Sequence, residues 1–157
     1  MDFRVEVSWK TGLSDGRAEQ LKGQIASLGI VPPEKVSISD LYFLRGDLSS
    51  SDVELLCQHL LADPIVQGYN WCRLDDDPPE PQDDGLALEV GLRPGVTDSV
   101  AESLIRGAEV IGVTLQQAVT ARRYVFHGQL TTADLHQIAR ELLCNELIHI
   151  YRLGYLK

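Results

Sequence analysis

This chain is constrained above all by being written twice. An offset of 83 residues pairs Glu6 with Glu89, Val7 with Val90, Gly12 with Gly95, Asp15 with Asp98, Ala18 with Ala101, Leu21 with Leu104 and Gly29 with Gly112. After a one-residue slip, an offset of 82 pairs Tyr42 with Tyr124, Gly46 with Gly128, Leu48 with Leu130, Asp52 with Asp134, Leu60 with Leu142 and Tyr69 with Tyr151. The matches fall on glycines, cap residues and apolar positions, where backbone geometry and burial leave the least choice. A fold for this chain is therefore a fold for a unit of about seventy residues. A unit that short is marginal alone, so each copy is expected to be the other's packing partner about a pseudo-two-fold axis.

The division falls at 75–85, where three prolines and six acids (Asp75, Asp76, Asp77, Glu80, Asp83, Asp84) stand with no apolar residue among them. Such a stretch can neither pack nor pair, and it reads as an extended acidic linker between a first unit, 1–74, and a second, 86–157. A Ca²⁺ loop would need fixed ligand spacing and a turning glycine, which these prolines do not suit.

Each unit runs in the same order. Phe3, Val5, Val7 and Trp9 alternate with polar residues, as do Leu86, Leu88, Val90 and Leu92, the period of a strand with one buried face. A glycine turn follows, then Asp15 or Asp98 as N-cap, then apolar residues at helical spacing (Ala18, Leu21, Ile25, Leu28; Ala101, Leu104, Ile105, Ala108, Ile111) closed by Gly29 or Gly112. β-rich segments span Val36 to Leu44 and Val119 to Phe126. Ser51 with Glu54, and Thr131 with Asp134, have the spacing of capping boxes opening a second helix. Its apolar stripe is Val53, Leu56, Cys57, Leu60 and Leu61 in one copy and Leu135, Ile138, Ala139, Leu142 and Leu143 in the other. Ile65 to Leu74 and Leu147 to Leu156 close the units as extended segments. The class is α+β: two ferredoxin-like βαββαβ units forming a pseudo-dimer of antiparallel sheets, helices on one face.

Twenty-three acids against fourteen Lys and Arg give a net charge of −9, which disfavours nucleic acid and anionic lipid as partners. No apolar run of about eighteen residues and no basic-then-apolar leader is present, so a soluble cytoplasmic protein is expected. Cys57, Cys72 and Cys144 are odd in number and widely spaced, the pattern of reduced thiols. No Gly-rich phosphate loop, G-x-S-x-G or H-E-x-x-H occurs. His59, His127, His136 and His149 fall in different elements, Glu6 and Glu89 are read as cross-strand or solvated residues of a first strand, and Arg122 and Arg123 as a solvated sheet face, the alternative being a clamp for an anion or acidic partner. No catalytic, cofactor or metal residue is assigned. Trp9, Tyr42, Trp71, Tyr124 and Tyr151, aromatics on edge-like segments, are the candidate interface residues.

Both units resemble PurS, the small subunit of phosphoribosylformylglycinamidine (FGAM) synthase. The resemblance rests on the strand-then-glycine openings Val5–Asp15 and Leu88–Asp98, on Leu41-Tyr-Phe-Leu-Arg-Gly-Asp-Leu48, and on the helix ending Leu60-Leu-Ala-Asp-Pro-Ile-Val-Gln67. The chain departs from the family's pattern at Asp15-Gly16 and Asp98-Ser99, where an Asp-Pro-x-Gly is usual, and at Asn145-Glu146, which replaces Asp63-Pro64. The resemblance implies a non-catalytic assembly component of a purine-biosynthesis ligase. Such a component exchanges C-terminal strands in its dimer, bridges the synthetase and glutaminase subunits and helps ammonia pass between them. It holds no cofactor of its own, ATP and Mg being bound by the synthetase. Tandem copies are similar to the first domain of long single-chain synthetases, and the chain is readable as a separate protein or as such a segment. Homo-oligomers are compatible with either. The rival reading is an ACT-like regulatory module, which also pairs βαββαβ units and would take a small amino acid near Gly12 or Gly95.

Overall fold

A computed structural model describes residues 2–76 and 85–156, so residues 77–84 of the acidic linker lie outside the described residues. The first half contains strand β1 (Asp2–Trp9), helix α1 (Gly16–Ser27), strand β2 (Lys35–Arg45), helix α2 (Ser50–Leu56) with a π-helical turn Cys57–Leu61, and strand β3 (Gln67–Arg73). The second repeats it with β4 (Leu86–Leu92), α3 (Ser99–Val110), β5 (Gln117–His127), α4 (Thr132–Ile138) with a π-helical turn Ala139–Leu143, and β6 (His149–Leu153). The strand order is β3-β1-β2-β5-β4-β6.

Local chemistry sets these boundaries. Asp15 and Asp98 cap α1 and α3, accepting from the backbone N–H of Arg17 and of Ala101 at 2.9 Å each. Gly29 and Gly112 follow in left-handed conformation, φ 81° and 86°. Thr131 and Asp134 form the expected capping box, but the equivalent box on α2 is Ser49 with Asp52, two residues before the expected Ser51 and Glu54. Glu54 is thereby left for another task. In the second helices the last turn is π-helical, and Ala62 N–H donates to the Cys57 carbonyl five residues back. That wider turn rotates Leu60 out of the apolar stripe to 39% exposure while Leu61 stays buried.

The long strands carry the main departure from a simple pair of halves. β2 and β5 have eleven residues each, and both are divided between two compact units. One unit holds β1, β2 from Asp40, α2, β3, α3 and β5 up to Ala121. The other holds α1, β2 up to Ser39, β4, β5 from Arg122, α4 and β6. The halves 1–74 and 86–157 are thus repeats of sequence, whereas each compact unit is assembled from pieces of both.

The first unit's core shows what this means. Phe3, Val5 and Val7 of β1 and Val53, Leu56 and Cys57 of the α2 segment pack with Ala101, Leu104 and Ala108 of α3. The second unit is the mirror case: Leu88 and Val90 of β4 and Leu135 and Ile138 of α4 pack with Ala18, Leu21 and Ile25 of α1. At about 1.5–3 kcal/mol per fully buried large aliphatic side chain, the exchanged helices contribute through Leu21 and Ile25 of α1 and Leu104 of α3. Gly46 and Gly128 permit the close approach this needs. A Cβ on Gly46 would meet the Thr114 carbonyl at 3.2 Å, and one on Gly128 the Glu34 backbone nitrogen at 3.2 Å.

The exchanged element is therefore not the C-terminal strand. β3 pairs antiparallel with β1 of its own repeat, from Phe3↔Arg73 to Trp9↔Gln67, and β6 pairs with β4 of its own repeat, from Leu88↔Leu153 to Leu92↔His149. The physical reason is reach. β3 follows α2 closely enough to close on β1 locally, whereas an eleven-residue strand spans about 36 Å and carries the helix before it into the other core.

Because each core contains both halves, cutting the connector should not release them. A protease site placed within residues 77–84 and cleaved to completion should leave one species that elutes like the intact chain and separates into halves only in denaturant. Elution as two half-size species would show that the halves are self-contained.

Candidate functional site

α2 and α4 each present one polar side chain to the outer strand of their own repeat, and the two contacts differ. In the first, Glu54 accepts from the Tyr69 hydroxyl at 2.6 Å and from the Trp71 indole at 2.7 Å. Those two hydrogen bonds, Tyr69 before Trp71, hold the Glu54 carboxyl below its usual range, and the same contact raises the Tyr69 phenol. In the second, His136 takes the place of Glu54, its Nδ1 2.8 Å from the Tyr151 hydroxyl, and Leu153 takes the place of Trp71. His136 also lines a shallow groove of ≈ 350 Å³ along α4 with Ala133, Gln137, Arg140 and Glu141.

The turns before β3 and β6 are built alike from different residues. The Asp63 carboxylate accepts from Ile65 N–H, and the Asp63 N–H donates to the Gln67 side chain, 2.9 Å each. Asn145 accepts from Leu147 N–H at 3.0 Å, and its N–H donates to His149 Nδ1 at 2.9 Å. Asp and Asn suit this position because a short side-chain oxygen can close the turn two residues on. Lys10 and Arg93 pin the turns from outside through the Pro64 and Glu146 carbonyls. The tips, Ile65 and Leu147, are 79% and 84% exposed.

Glu89, read from sequence as solvated or in a cross-strand pair, is buried in such a pair with Arg123, which is likewise buried rather than on a solvated face. Glu89 also accepts from Leu156 N–H at 2.7 Å, while Arg123 donates to the Gly154 carbonyl at 3.2 Å and lies 4.4 Å over the Tyr155 ring. The pair fastens the segment after β6 onto β4 and β5. Arg122, its neighbour, is exposed as expected.

The five candidate aromatics have separate surroundings. Tyr124 is buried and stacks on Phe126 at 6.4 Å between centroids. Trp71 packs edge-on to Phe3, Tyr42 and Tyr151 lie half-buried against the cores, and half-buried Trp9 has a buried indole N–H with no acceptor among the described residues. Burial, reinforced by the Glu54 carboxylate, pushes the Cys57 thiol up to about 12, consistent with an inert core position. Among the described residues no group of three His, Cys, Asp or Glu side chains is placed to hold a metal ion, and no helix is long and apolar enough to cross a membrane.

Two of these contacts can be measured directly. Glu54→Gln should bring the Tyr69 phenol titration back down toward the ordinary tyrosine range, followed by absorbance at alkaline pH. Because the Glu54 carboxyl is lowered on folding, its stabilisation is present above the ordinary carboxylate range and lost as pH falls through the folded value; the variant should lose that acid-side slope. An unshifted phenol would break the assignment. Glu89→Gln should cost about 3–5 kcal/mol in urea unfolding by stranding the Arg123 charge, and Glu89→Leu with Arg123→Met should recover a substantial part of it. Equal losses in the single and double variants would mean that the pair's charge is immaterial.

Comparison with known proteins gives one family. No curated protein matches the chain. The family model described as PurS: Phosphoribosylformylglycinamidine (FGAM) synthase matches residues 2–73, the span of β1 through β3. That span contains the strand-glycine opening, the end of β2 and the Asp63 turn, and over it the chain is similar to the PurS family.

Proposed function

We propose that this chain is a non-catalytic assembly component of FGAM synthase in purine biosynthesis, acting in the cytoplasm. It bridges the synthetase and glutaminase parts and supports ammonia transfer between them, whether as a separate subunit or within a longer synthetase. The observation that carries the reading is the PurS match over residues 2–73, in a chain that repeats the same succession of elements in its second half. ATP and Mg²⁺ belong, on this reading, to the synthetase partner.

The polar clusters support a structural role. Glu54 ties α2 to β3, His136 ties α4 to β6, and the Glu89–Arg123 pair ties down the segment after β6. Each is committed to holding elements together. Among the exposed aliphatic side chains, Ile65 and Leu147 stand at the tips of matching turns closed by Asp63 and Asn145, and these two are the proposed docking residues.

Reconstitution with the synthetase and glutaminase proteins of the same source tests this. Glutamine-driven amination should require the chain, ammonia-driven amination should proceed without it, and the chain should co-purify with both proteins. Absence of both co-purification and any change in glutamine-driven rate would overturn the reading.

A further inference from the structure

The two turns that precede the outer strands are closed by acceptors of different chemistry. In the first repeat the Asp63 N–H donates to the Gln67 side-chain oxygen, and in the second the Asn145 N–H donates to His149 Nδ1, 2.9 Å in each case. A carboxamide oxygen does not titrate, whereas an imidazole nitrogen accepts only while it carries no proton. The Asn145 contact therefore requires the neutral ring with its proton on Nε2. A protonated ring has N–H on both nitrogens, and a backbone N–H can only donate, so two donors would face each other at hydrogen-bond distance. The imidazolium has to swing away, and the Asn145 N–H loses its acceptor.

The other histidine of this repeat is not built that way. His136 Nδ1 meets the Tyr151 hydroxyl, which donates to a neutral ring or accepts from a charged one, so that contact survives protonation. Around His149 the ionisable groups are Arg93 in the turn after β4, Cys144 and Glu146 beside Asn145, and His136, Arg140 and Glu141 on the α4 segment. Arg93, Arg140, Glu141 and Glu146 are all exposed and balance in sign, so solvent screens what bias they impose. The His149 ring is half-buried and within reach of solvent protons.

We propose that His149 is a proton sensor: its protonation loosens the turn that presents Leu147, while the matching turn of the first repeat, closed by Gln67, stays shut. The response is local. Asn145 Oδ1 still accepts from Leu147 N–H, and the Asn145 carbonyl from the N–H groups of Ile148 and His149, so the turn keeps its far side and opens where it leaves the π-helical turn. Closure is present when the ring is neutral and lost as pH falls through the imidazole range. The sensor does not depend on the FGAM synthase reading.

NMR of the whole chain tests it, with backbone amide exchange corrected for its intrinsic pH dependence. Between about pH 8 and about pH 5, protection of the Asn145 amide should fall about fivefold, the worth of one neutral hydrogen bond, while that of Asp63 holds. His149→Gln, which installs the first repeat's acceptor, should keep Asn145 protected throughout, and His149→Ala should leave it unprotected at both ends. The Asp63 amide reports in every variant that the fold is intact. A wild-type Asn145 amide indifferent to pH would overturn the proposal, as would a fall that persists in His149→Gln or a ring that carries its proton on Nδ1 at the alkaline end.

Discussion

The structure depends on the burial of one helix face in each repeat by strands of the other. The apolar residues of α1 are satisfied by β4 and the α4 segment, and those of α3 by β1 and the α2 segment. A seventy-residue unit buries too small a fraction of its surface to be secure alone. Exchange solves this without adding a residue, because the core that each exchanged helix enters is lined by residues of the other repeat as well as its own. The long strands are the consequence: β2 and β5 must each begin in one compact unit and end in the other. Gly46 and Gly128 mark where the chain leaves those strands too close to neighbouring backbone for a side chain.

Within that shared scaffold the repeats differ where polar groups hold local geometry. The helix-to-strand contact is a carboxylate with a tyrosine and a tryptophan in one copy and an imidazole with a tyrosine in the other. The turn before the outer strand is closed by Gln67 in one and by His149 in the other. In each case the backbone requirement is the same and any acceptor of suitable reach meets it. Glu89 with Arg123 is different in kind. The repeat aligns Leu41 with Arg123, so the first copy has no arginine at the equivalent position, and burying two charges in the second is justified by the segment they hold rather than by stability.

Much of this was legible in the sequence because it is local. The Asp15 and Asp98 caps, the Thr131–Asp134 box and the glycines ending α1 and α3 all follow from spacing. The α2 cap was misplaced at Ser51, although subtracting the 82-residue offset from Thr131 lands on Ser49, so the repeat itself held the correct register. Long-range facts were not legible. Periodicity says that Leu21 and Leu104 are buried, and is silent on which strand buries them, since both repeats offer the same alternating pattern. Nor does an alternating strand reveal that Glu89, a polar residue on the face away from the helices, meets an arginine 34 positions later. Only pairing shows that the exchanged piece is a helix and half a strand. The candidate interface aromatics show the same limit, because sequence alone does not separate contacts within the fold, such as Tyr124 on Phe126 and Trp71 on Phe3, from contacts with a partner.

Fusion explains why such differences can accumulate. In a dimer of separate identical chains every substitution appears twice, so a change that improves one surface alters its symmetric equivalent as well. Joined by a connector, the two copies meet at high effective concentration and each position is free to change alone. Gly68 and Ile150, Asn70 and Arg152, and Trp71 and Leu153 are such divergent pairs, and all lie on the outer strands β3 and β6. The exchanged helices retain their buried faces in both copies, because a change there would open a cavity in a core on which both repeats depend. Divergence at the sheet edges, unlike divergence in the cores, costs little packing, and it lets a duplicated scaffold offer different surfaces to different partners.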